Sequence, residues 1–402
     1  MSFEYLNEYK YPTRVCLNLT DSCNLACKYC FVEQNPHYMT YELAKFAVDF
    51  IMQNHAIKGL ANKEKCFLNY FGGEPTLMWD TILVPLTNYI RSNNLPINLA
   101  MTTNGTLLNE ERIKFLKENK INILLSLDGD YITQTFNRPC RDNKLNSFEL
   151  VSKNIPYILR DLPNTTCRST IYAPTAKYLY DNFIFAGTQG FRSIYFGIDE
   201  RHPWSNEEIQ DLYLSLDKIF SFYDYCFQNE LTPPIDFRQM TKMFRNILKE
   251  QKDSIIDIPH NLKRCGLGTT LSSIGYDGKI YGCQEQTSKT EKNIFLIGDI
   301  FSGINVNQHK NLLKTYYDGP RPKCKNEDLC LNCSHFCEGN TCPSTNLDIN
   351  NNFFQRTEIV CLFDQYIYNN CLILLNKYKD KNSNSFYNYL EKSCNYKIRK
   401  EE

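Results

Sequence analysis

Little in this sequence favours one charge sign over the other. Its 45 basic and 45 acidic side chains cancel to a formal net charge of zero. That removes any global pull toward nucleic acid or an anionic membrane, and no nucleic-acid partner is expected. No run of about 18 uncharged apolar residues occurs, so no transmembrane helix and no membrane partner are expected. The opening MSFEYLNEYKYP has neither an apolar run nor a small-residue cleavage site, and so does not read as a signal peptide. No internal repeat of about 20–50 residues is visible. Hydrophobic residues make up 42% of the chain, which excludes wholesale disorder. A length of 402 residues suits two or three domains, or one large barrel with an appendage.

What the chain has in abundance is cysteine, with 18 residues. A small secreted protein would use them as a disulfide framework, but this chain is too large to need one. Together these features predict a cytoplasmic protein whose cysteines bind metal.

Short apolar runs alternate with helical patterns over the first 250 residues. Strands are expected at Arg14–Leu19, Lys65–Tyr70, Ile97–Thr102, Asn122–Leu127, Thr166–Tyr172 and Ser193–Ile198. Between them, Tyr41–Gln53, Glu110–Asn119 and Phe148–Leu159 repeat apolar residues at helical spacing, with Asn109 as an N-cap. Such alternation implies parallel strands joined by crossover helices. It fits an incomplete (βα)6 barrel, and an open doubly wound sheet gives the same linear pattern. In a barrel the loops after the strands form the active face. Asn206 to Gln251 reads as two helices broken at Pro233 and Pro234. Tyr276–Gly282 reads as a hairpin around Asp277 and Gly278, and the tail as a helix with a frayed end.

Cys23, Cys27 and Cys30 stand in CNLACKYCF, spaced C-x3-C-x2-C, directly after the first strand. Three close thiolates can bind one face of a four-iron cluster and leave one iron open to a small molecule. Zinc is the alternative, but closed zinc sites take four ligands and usually use C-x2-C pairs. No histidine lies within the loop. Eight further cysteines follow: Cys265, Cys283, Cys324, Cys330, Cys333, Cys337, Cys342 and Cys361. They suffice for two four-iron clusters, or for two or more zinc sites. Cys16, Cys66 and Cys167 lie within strand runs and should pack as small apolar groups.

CNLACKYCF resembles the signature of radical S-adenosylmethionine (SAM) enzymes. Phe31 fits that signature, and FGGEP (Phe71–Pro75), TTNGT (Thr102–Thr106), SLDGD (Ser126–Asp130) and FNR (Phe136–Arg138) follow in the family's order. The resemblance implies a partial barrel with a [4Fe-4S] cluster on Cys23, Cys27 and Cys30, and SAM chelating the open iron. It implies cofactor contacts by Phe31, Gly72, Gly73, Glu74, Pro75, Thr103, Asn104, Ser126, Asp128 and Arg138. Among these, Glu74 would accept from the SAM amine, Arg138 would pair with its carboxylate, and Ser126 and Asp128 would hold the ribose hydroxyls. Reductive cleavage of SAM would then give a 5′-deoxyadenosyl radical that takes hydrogen from substrate.

The eight later cysteines resemble a C-terminal SPASM domain carrying two auxiliary [4Fe-4S] clusters. This spacing departs from the family pattern, with Cys324 an extra upstream thiol. By family logic Cys265, Cys283 and Cys342 hold one cluster, and Cys330, Cys333, Cys337 and Cys361 the other. Cys324 is then either the eighth ligand or a spare. The implied organisation is a lead-in over 1–13, a barrel with bridging helices over 14–250, a SPASM domain over 251–370 and a C-terminal helix and tail over 371–402.

Relatives of this type act on peptides or proteins, and two substrate classes compete. One is a ribosomally made precursor peptide that gains a thioether or carbon–carbon crosslink. The other is a sulfatase, in which Cys or Ser becomes formylglycine. The sulfatase-maturing type carries an aspartate just after the second auxiliary cysteine, where this chain has Gln284 and Glu285, and one expected cysteine after Cys265 is missing. Both departures favour crosslinking. The absence of a leader-binding module before the first strand favours the sulfatase type, or a separate leader-binding protein. A flavodoxin or ferredoxin would supply electrons. Glu285 and Asp199 are the expected catalytic residues, with Glu200 and His202 as further titratable groups to test. A non-catalytic iron–sulfur or zinc scaffold is the remote alternative, disfavoured by GGEP and SLDG.

Overall fold

The computed structural model describes residues 13–57, 66–251, 265–289, 293–320, 322–331, 333, 342–379, 381 and 383–394. Cys337, most of the lead-in and the end of the tail lie outside them.

Six parallel strands stand side by side in chain order: β1 (Arg14–Asn18), β2 (Cys66–Phe71), β3 (Ile97–Thr103), β4 (Ile121–Ser126), β5 (Thr166–Ile171) and β6 (Ser193–Ile198). A doubly wound sheet would reverse its strand order at a switch point. This one does not, so the barrel expectation holds. At the β6 edge, β7 (Asp236–Phe237) adds in parallel. At the β1 edge, β8 (Leu271–Ile274) also pairs in parallel. The sheet then turns antiparallel through β9 (Lys279–Tyr281), β10 (Leu296–Asp299) and β11 (Gly303–Ile304). Among the described residues the sheet has eleven strands, with β11 and β7 at its ends. The expected hairpin is β8–β9, and Gly278 supplies its positive φ of 84°.

Strand periodicity decides which residues meet the cavity. In β2, Cys66, Leu68 and Tyr70 are buried, whereas the alternate Asn69 and Phe71 line the cavity. In β4, Ile121, Ile123 and Leu125 are buried, while Leu124 and Ser126 face the cavity. Each buried Leu or Ile contributes about 1.5–3 kcal/mol. Cys16, Cys66 and Cys167 are buried in their strands, as expected.

The crossover layer comprises α1 (Tyr41–Ile57), α2 (Val84–Ser92), α3 (Glu110–Glu118), α4 (Tyr131–Asn137), α5 (Ser147–Ser152), α6 (Ile155–Asp161) and α7 (Leu179–Gln189). Asn109 caps α3 by accepting from Arg112 N–H at 2.8 Å. The single helix expected at Phe148–Leu159 is instead α5 and α6. Between them the Asn154 amide turns to Leu108 O at 2.8 Å and Gly105 O at 3.2 Å, and Pro156 starts the second helix.

Next come α8 (Asn206–Gln228) and α9 (Arg238–Gln251), separated by Pro233–Pro234 as expected. Ser205 and Glu208 form a reciprocal capping box at the start of α8, a feature whose loss costs about 1 kcal/mol. The remaining elements are α10 (Val306–Tyr317), β12 (Lys323–Cys324), α11 (Glu327–Leu331), α12 (Pro343–Asn350), β13 (Gln355–Arg356), α13 (Glu358–Lys379) and α14 (Asn384–Cys394). Helix α13 packs on α8, α9 and β6. Its Val360, Phe363 and Ile367 wall the cavity opposite the strands.

Candidate active site

The loops after β1, β2, β3 and β6, together with the C-terminal parts of β4 and β5, line one cavity of 780 Å³. The loop after β1 carries Cys23, Cys27 and Cys30, all on the cavity wall. Its path is fixed by backbone pairing to the loop after α4. Ala26 N–H donates to Pro139 O at 2.8 Å, Lys28 N–H to Asn137 O at 3.0 Å and Arg141 N–H to Asn24 O at 3.0 Å.

Each thiol has a polar donor. Leu25 N–H lies 3.4 Å and Asn104 Nδ2 3.8 Å from Cys23 Sγ. Arg138 Nη1 is 4.0 Å from Cys27 Sγ, and Gln34 Nε2 is 3.6 Å from Cys30 Sγ. Burial pushes the Cys23 thiol up to about 12 and Cys27 to about 11, with Glu74 the next cause at Cys23. Among the described residues, no three His, Cys, Asp or Glu side chains converge on a single ion position.

Gly72 and Gly73 allow a close approach, and the approaching group is protein. A Cβ at Gly72, where φ is 142°, would stand 2.3 Å from Thr20 O; one at Gly73 would stand 2.2 Å from Ser22 O. Gly73 N–H donates to Thr20 O at 2.7 Å, and Glu74 N–H to Ser22 O at 2.9 Å. The two glycines therefore seat the cysteine loop on the end of β2.

Glu74 is buried, and burial raises its pKa against the pull of its donors. Its Oε1 accepts from Thr76 N, Thr76 Oγ1 and Thr103 Oγ1 at 3.1, 2.6 and 2.7 Å. Its Oε2 accepts from Asn104 N–H at 2.7 Å. Pro75 opens the short helix that Glu74 caps and is not on the cavity wall. Thr103 and Asn104 thus position Glu74, and the Asn104 side chain also reaches Asn24 at 3.0 Å.

Asp128 lies away from the cavity. Its carboxylate is 0% exposed and is absent from the cavity wall. It accepts from Arg138 Nη2 at 2.9 Å, Thr170 N–H at 2.9 Å, Asn137 Nδ2 at 3.0 Å and the Tyr29 hydroxyl. Those four donors occupy both carboxylate oxygens. Ser126, two residues earlier, does face the cavity. Arg138 faces it too, and its buried Nε–H has no protein partner. A buried guanidinium N–H without a protein partner, on a residue that lines the cavity, is the kind of donor a carboxylate-bearing ligand can satisfy.

Phe31 stacks on Phe71 with centroids 6.4 Å apart, beneath the Arg201 guanidinium at 5.8 Å. Asp199, at the end of β6, is buried on the cavity wall and holds His202 Nδ1 at 2.7 Å. Glu285 lies across the cavity, 3.4 Å from Arg201 Nη2 and 3.3 Å from Thr345 Oγ1. Glu200 is turned toward Thr357, whose hydroxyl it accepts at 2.5 Å. Cys265 and Cys342 line the same end of the cavity. Sequence reasoning missed Tyr29, Gln34, Arg168 and Arg201. Tyr29 was the most accessible of these, since an aromatic between two cysteines is conspicuous. Arg168 reads simply as a strand residue, and only Gly197 beneath its guanidinium, with no Cβ to meet it, lets it face the cavity.

Comparison with known proteins agrees with this geometry. The radical SAM superfamily model matches residues 17–171. A cysteine-type anaerobic sulfatase-maturating enzyme of Clostridium novyi is 26% identical over 356 residues, covering 83% of this chain and 90% of that protein. A solved structure of anSMEcpe with bound AdoMet superposes with a TM-score of 0.70 at 18% identity, covering 96% of this chain and 98% of that one. Streptococcus suis SuiB bound to the precursor peptide SuiA gives 0.58 at 15% identity, covering 89% and 77%. Residues 17–171 match the radical SAM superfamily model, so this part of the chain is a radical SAM domain.

Proposed function

We propose that this chain is a radical SAM maturase that forms a thioether or carbon–carbon crosslink in a ribosomally made peptide. The observation that carries this reading is the continuity of one 780 Å³ cavity from Cys23, Cys27 and Cys30 to Glu285, Cys265 and Cys342. That volume lies in the upper part of the range for ligand sites, about 300–1,000 Å³. It leaves room beside a cofactor for a peptide side chain.

In this reading Cys23, Cys27 and Cys30 hold the cluster, and Leu25, Asn104, Arg138 and Gln34 donate to their sulfurs. Glu74 Oε2, with one protein donor, takes the SAM amine. The unpartnered guanidinium of Arg138 takes the carboxylate, and Ser126 a ribose hydroxyl. Asp128 orients Arg138 from behind. The stacked Phe31 and Phe71 exclude water from the cysteine loop. When bound, the reduced cluster and SAM supply a hydrogen-abstracting radical. Cys265, Cys283 and Cys342 begin an auxiliary-cluster region at the far end.

A second reading, oxidation of Cys or Ser to formylglycine, draws support from the similarity to a sulfatase-maturating enzyme over 83% of this chain. The two are separated by mass spectrometry. Anaerobically reconstituted protein is incubated with SAM, dithionite and cysteine-containing peptides, beside the Cys23/Cys27/Cys30→Ala variant. The proposal expects 5′-deoxyadenosine from the parent alone, and a peptide that loses two hydrogens and keeps its sulfur. A peptide cysteine that loses sulfur would establish formylglycine formation instead. No 5′-deoxyadenosine from iron-loaded protein would leave only a scaffold.

A further inference from the structure

The spacing of the later cysteines leaves Cys324 without a place, and the side chains supply one. Cys265, Cys283 at the end of the β8–β9 hairpin and Cys342 at the start of α12 gather around Glu285. Cys342 Sγ is 3.8 Å from Glu285 Oε2. The Glu285 charge also acts on the thiols of Cys265 and Cys283. Cys324 is not in this group. It ends β12, and its thiol is hydrogen-bonded to that of Cys361 in the first turn of α13. Helix α11, which carries Cys330, packs against β12.

We propose that Cys265, Cys283 and Cys342 form a three-thiolate iron–sulfur site whose fourth donor is the Glu285 carboxylate, and that Cys324 belongs with Cys361 and Cys330 in a second site. This rests on the auxiliary-cluster part of the proposed function. Three thiolates leave one iron of a four-iron cluster without a cysteine ligand. Glu285 is the carboxylate beside that gap, and its position is set from outside the cysteine group. Arg201, on the loop after β6, holds it at 3.4 Å and Thr345 at 3.3 Å, while Asp348 steadies the guanidinium at 3.2 Å. A carboxylate is a hard donor and suits this iron less than a thiolate does. An incoming thiol would give its proton to solvent, bind the iron through sulfur and release the carboxylate to Arg201. No electron moves in that exchange, so the site is an exchangeable thiol-binding position.

The test uses the full chain with Cys23/Cys27/Cys30→Ala, so that only the later sites load. About eight irons are expected from two four-iron clusters. Electron paramagnetic resonance and Mössbauer spectra are compared for this parent and for the same chain with Glu285→Gln, Glu285→Cys, Cys324→Ala or Cys265→Ala. Glu285→Gln should keep the iron and change the spectrum of one cluster. Glu285→Cys should give an all-thiolate spectrum there. Added dithiothreitol should perturb the parent but not Glu285→Cys. Cys324→Ala should alter the other cluster. Unchanged spectra in both Glu285 variants would overturn the proposal, as would Cys324→Ala altering the same signal as Cys265→Ala. A parent without iron would overturn the auxiliary-cluster reading and this proposal together, whereas eight irons with unchanged spectra would overturn this proposal alone.

Discussion

Arg138 Nη2 lies 2.9 Å from Asp128 Oδ1, with the two side chains 9% and 0% exposed. The pair ties the loop after β4 to the end of α4. It also aims Nη1 of the same guanidinium at Cys27, while the buried Nε–H has no protein partner. Asp128 therefore acts through Arg138 and does not need to touch a ligand.

This division of roles predicts different outcomes for two neighbouring residues. Asp128→Ala strands a buried guanidinium, and breaking such a pair costs about 3–5 kcal/mol. Ser126→Ala should leave stability within about 0.5 kcal/mol of the parent and weaken SAM binding instead. Urea unfolding and SAM titration of both variants check this. An Asp128→Ala protein of parental stability with impaired SAM binding would return Asp128 to the ribose.

Gly73→Ala should be severe. The added Cβ meets the backbone of Ser22 and Asp21, with Asp21 O at 2.8 Å, and backbone cannot rotate away. Overpacking costs about 1–3 kcal/mol or more, and here the strain falls on the loop that leads to Cys23. Iron content after reconstitution should drop with stability. Gly187→Ala in α7 is the contrast. Its Cβ would be 3.6 Å from Ile235 Cγ2, an ordinary contact, and a helical alanine gains about 0.5–1 kcal/mol over glycine. Thermal unfolding of the two variants should move in opposite directions.

Much of this architecture was legible because parallel strands carry their signal locally. The predicted and observed strands agree to within a residue or so at most ends, since alternation in runs such as Cys66–Phe71 reflects one face on helices and one on the cavity. The same local reading merged α5 and α6, because Pro156 is compatible with a helix start and nothing in the sequence reveals that the Asn154 amide turns to Leu108 O. The cysteine loop, Glu74 and Arg138 stand on the cavity wall. Asp128 does not, because whether a carboxylate faces a ligand or a guanidinium depends on Tyr29, Asn137 and Thr170 arriving from other elements. The hydrogen bond between Cys324 and Cys361 belongs to the same class of long-range fact.

Glu200 provides a pH test. Burial is the main cause that raises its carboxyl above the usual value, opposed by the Thr357 hydroxyl and the Arg356 charge. An unfolded glutamate titrates near about 4.3. With a higher folded value, the stability associated with this group is fully present below that pH. It is lost as pH rises through the folded value. At neutral pH the charged form is therefore a burden. Glu200→Gln should raise the unfolding temperature at pH 7, with the advantage shrinking as the medium is acidified toward about 4. A variant less stable than the parent at pH 7 would mean that the hydrogen bond from Thr357 outweighs desolvation.

Gln34 offers a test at the cysteine loop with little risk to the fold. Its Nε2 lies 3.6 Å from Cys30 Sγ, and its Oε1 accepts from Arg141. Gln34→Leu removes both contacts at a half-exposed position, so stability should fall by only about 1 kcal/mol. Hydrogen bonds to ligating sulfurs help set a cluster's potential by stabilising its more negative, reduced form. Losing one should make the cluster on Cys23, Cys27 and Cys30 harder to reduce. Potentiometric titration monitored by electron paramagnetic resonance should place Gln34→Leu below the parent. Gln34→Glu, which loses the donor and adds a negative charge, should lie lower still. An unchanged potential in both variants would show that Cys30 does not ligate the cluster in the arrangement seen here, since a bound sulfur could not ignore a charge placed beside it.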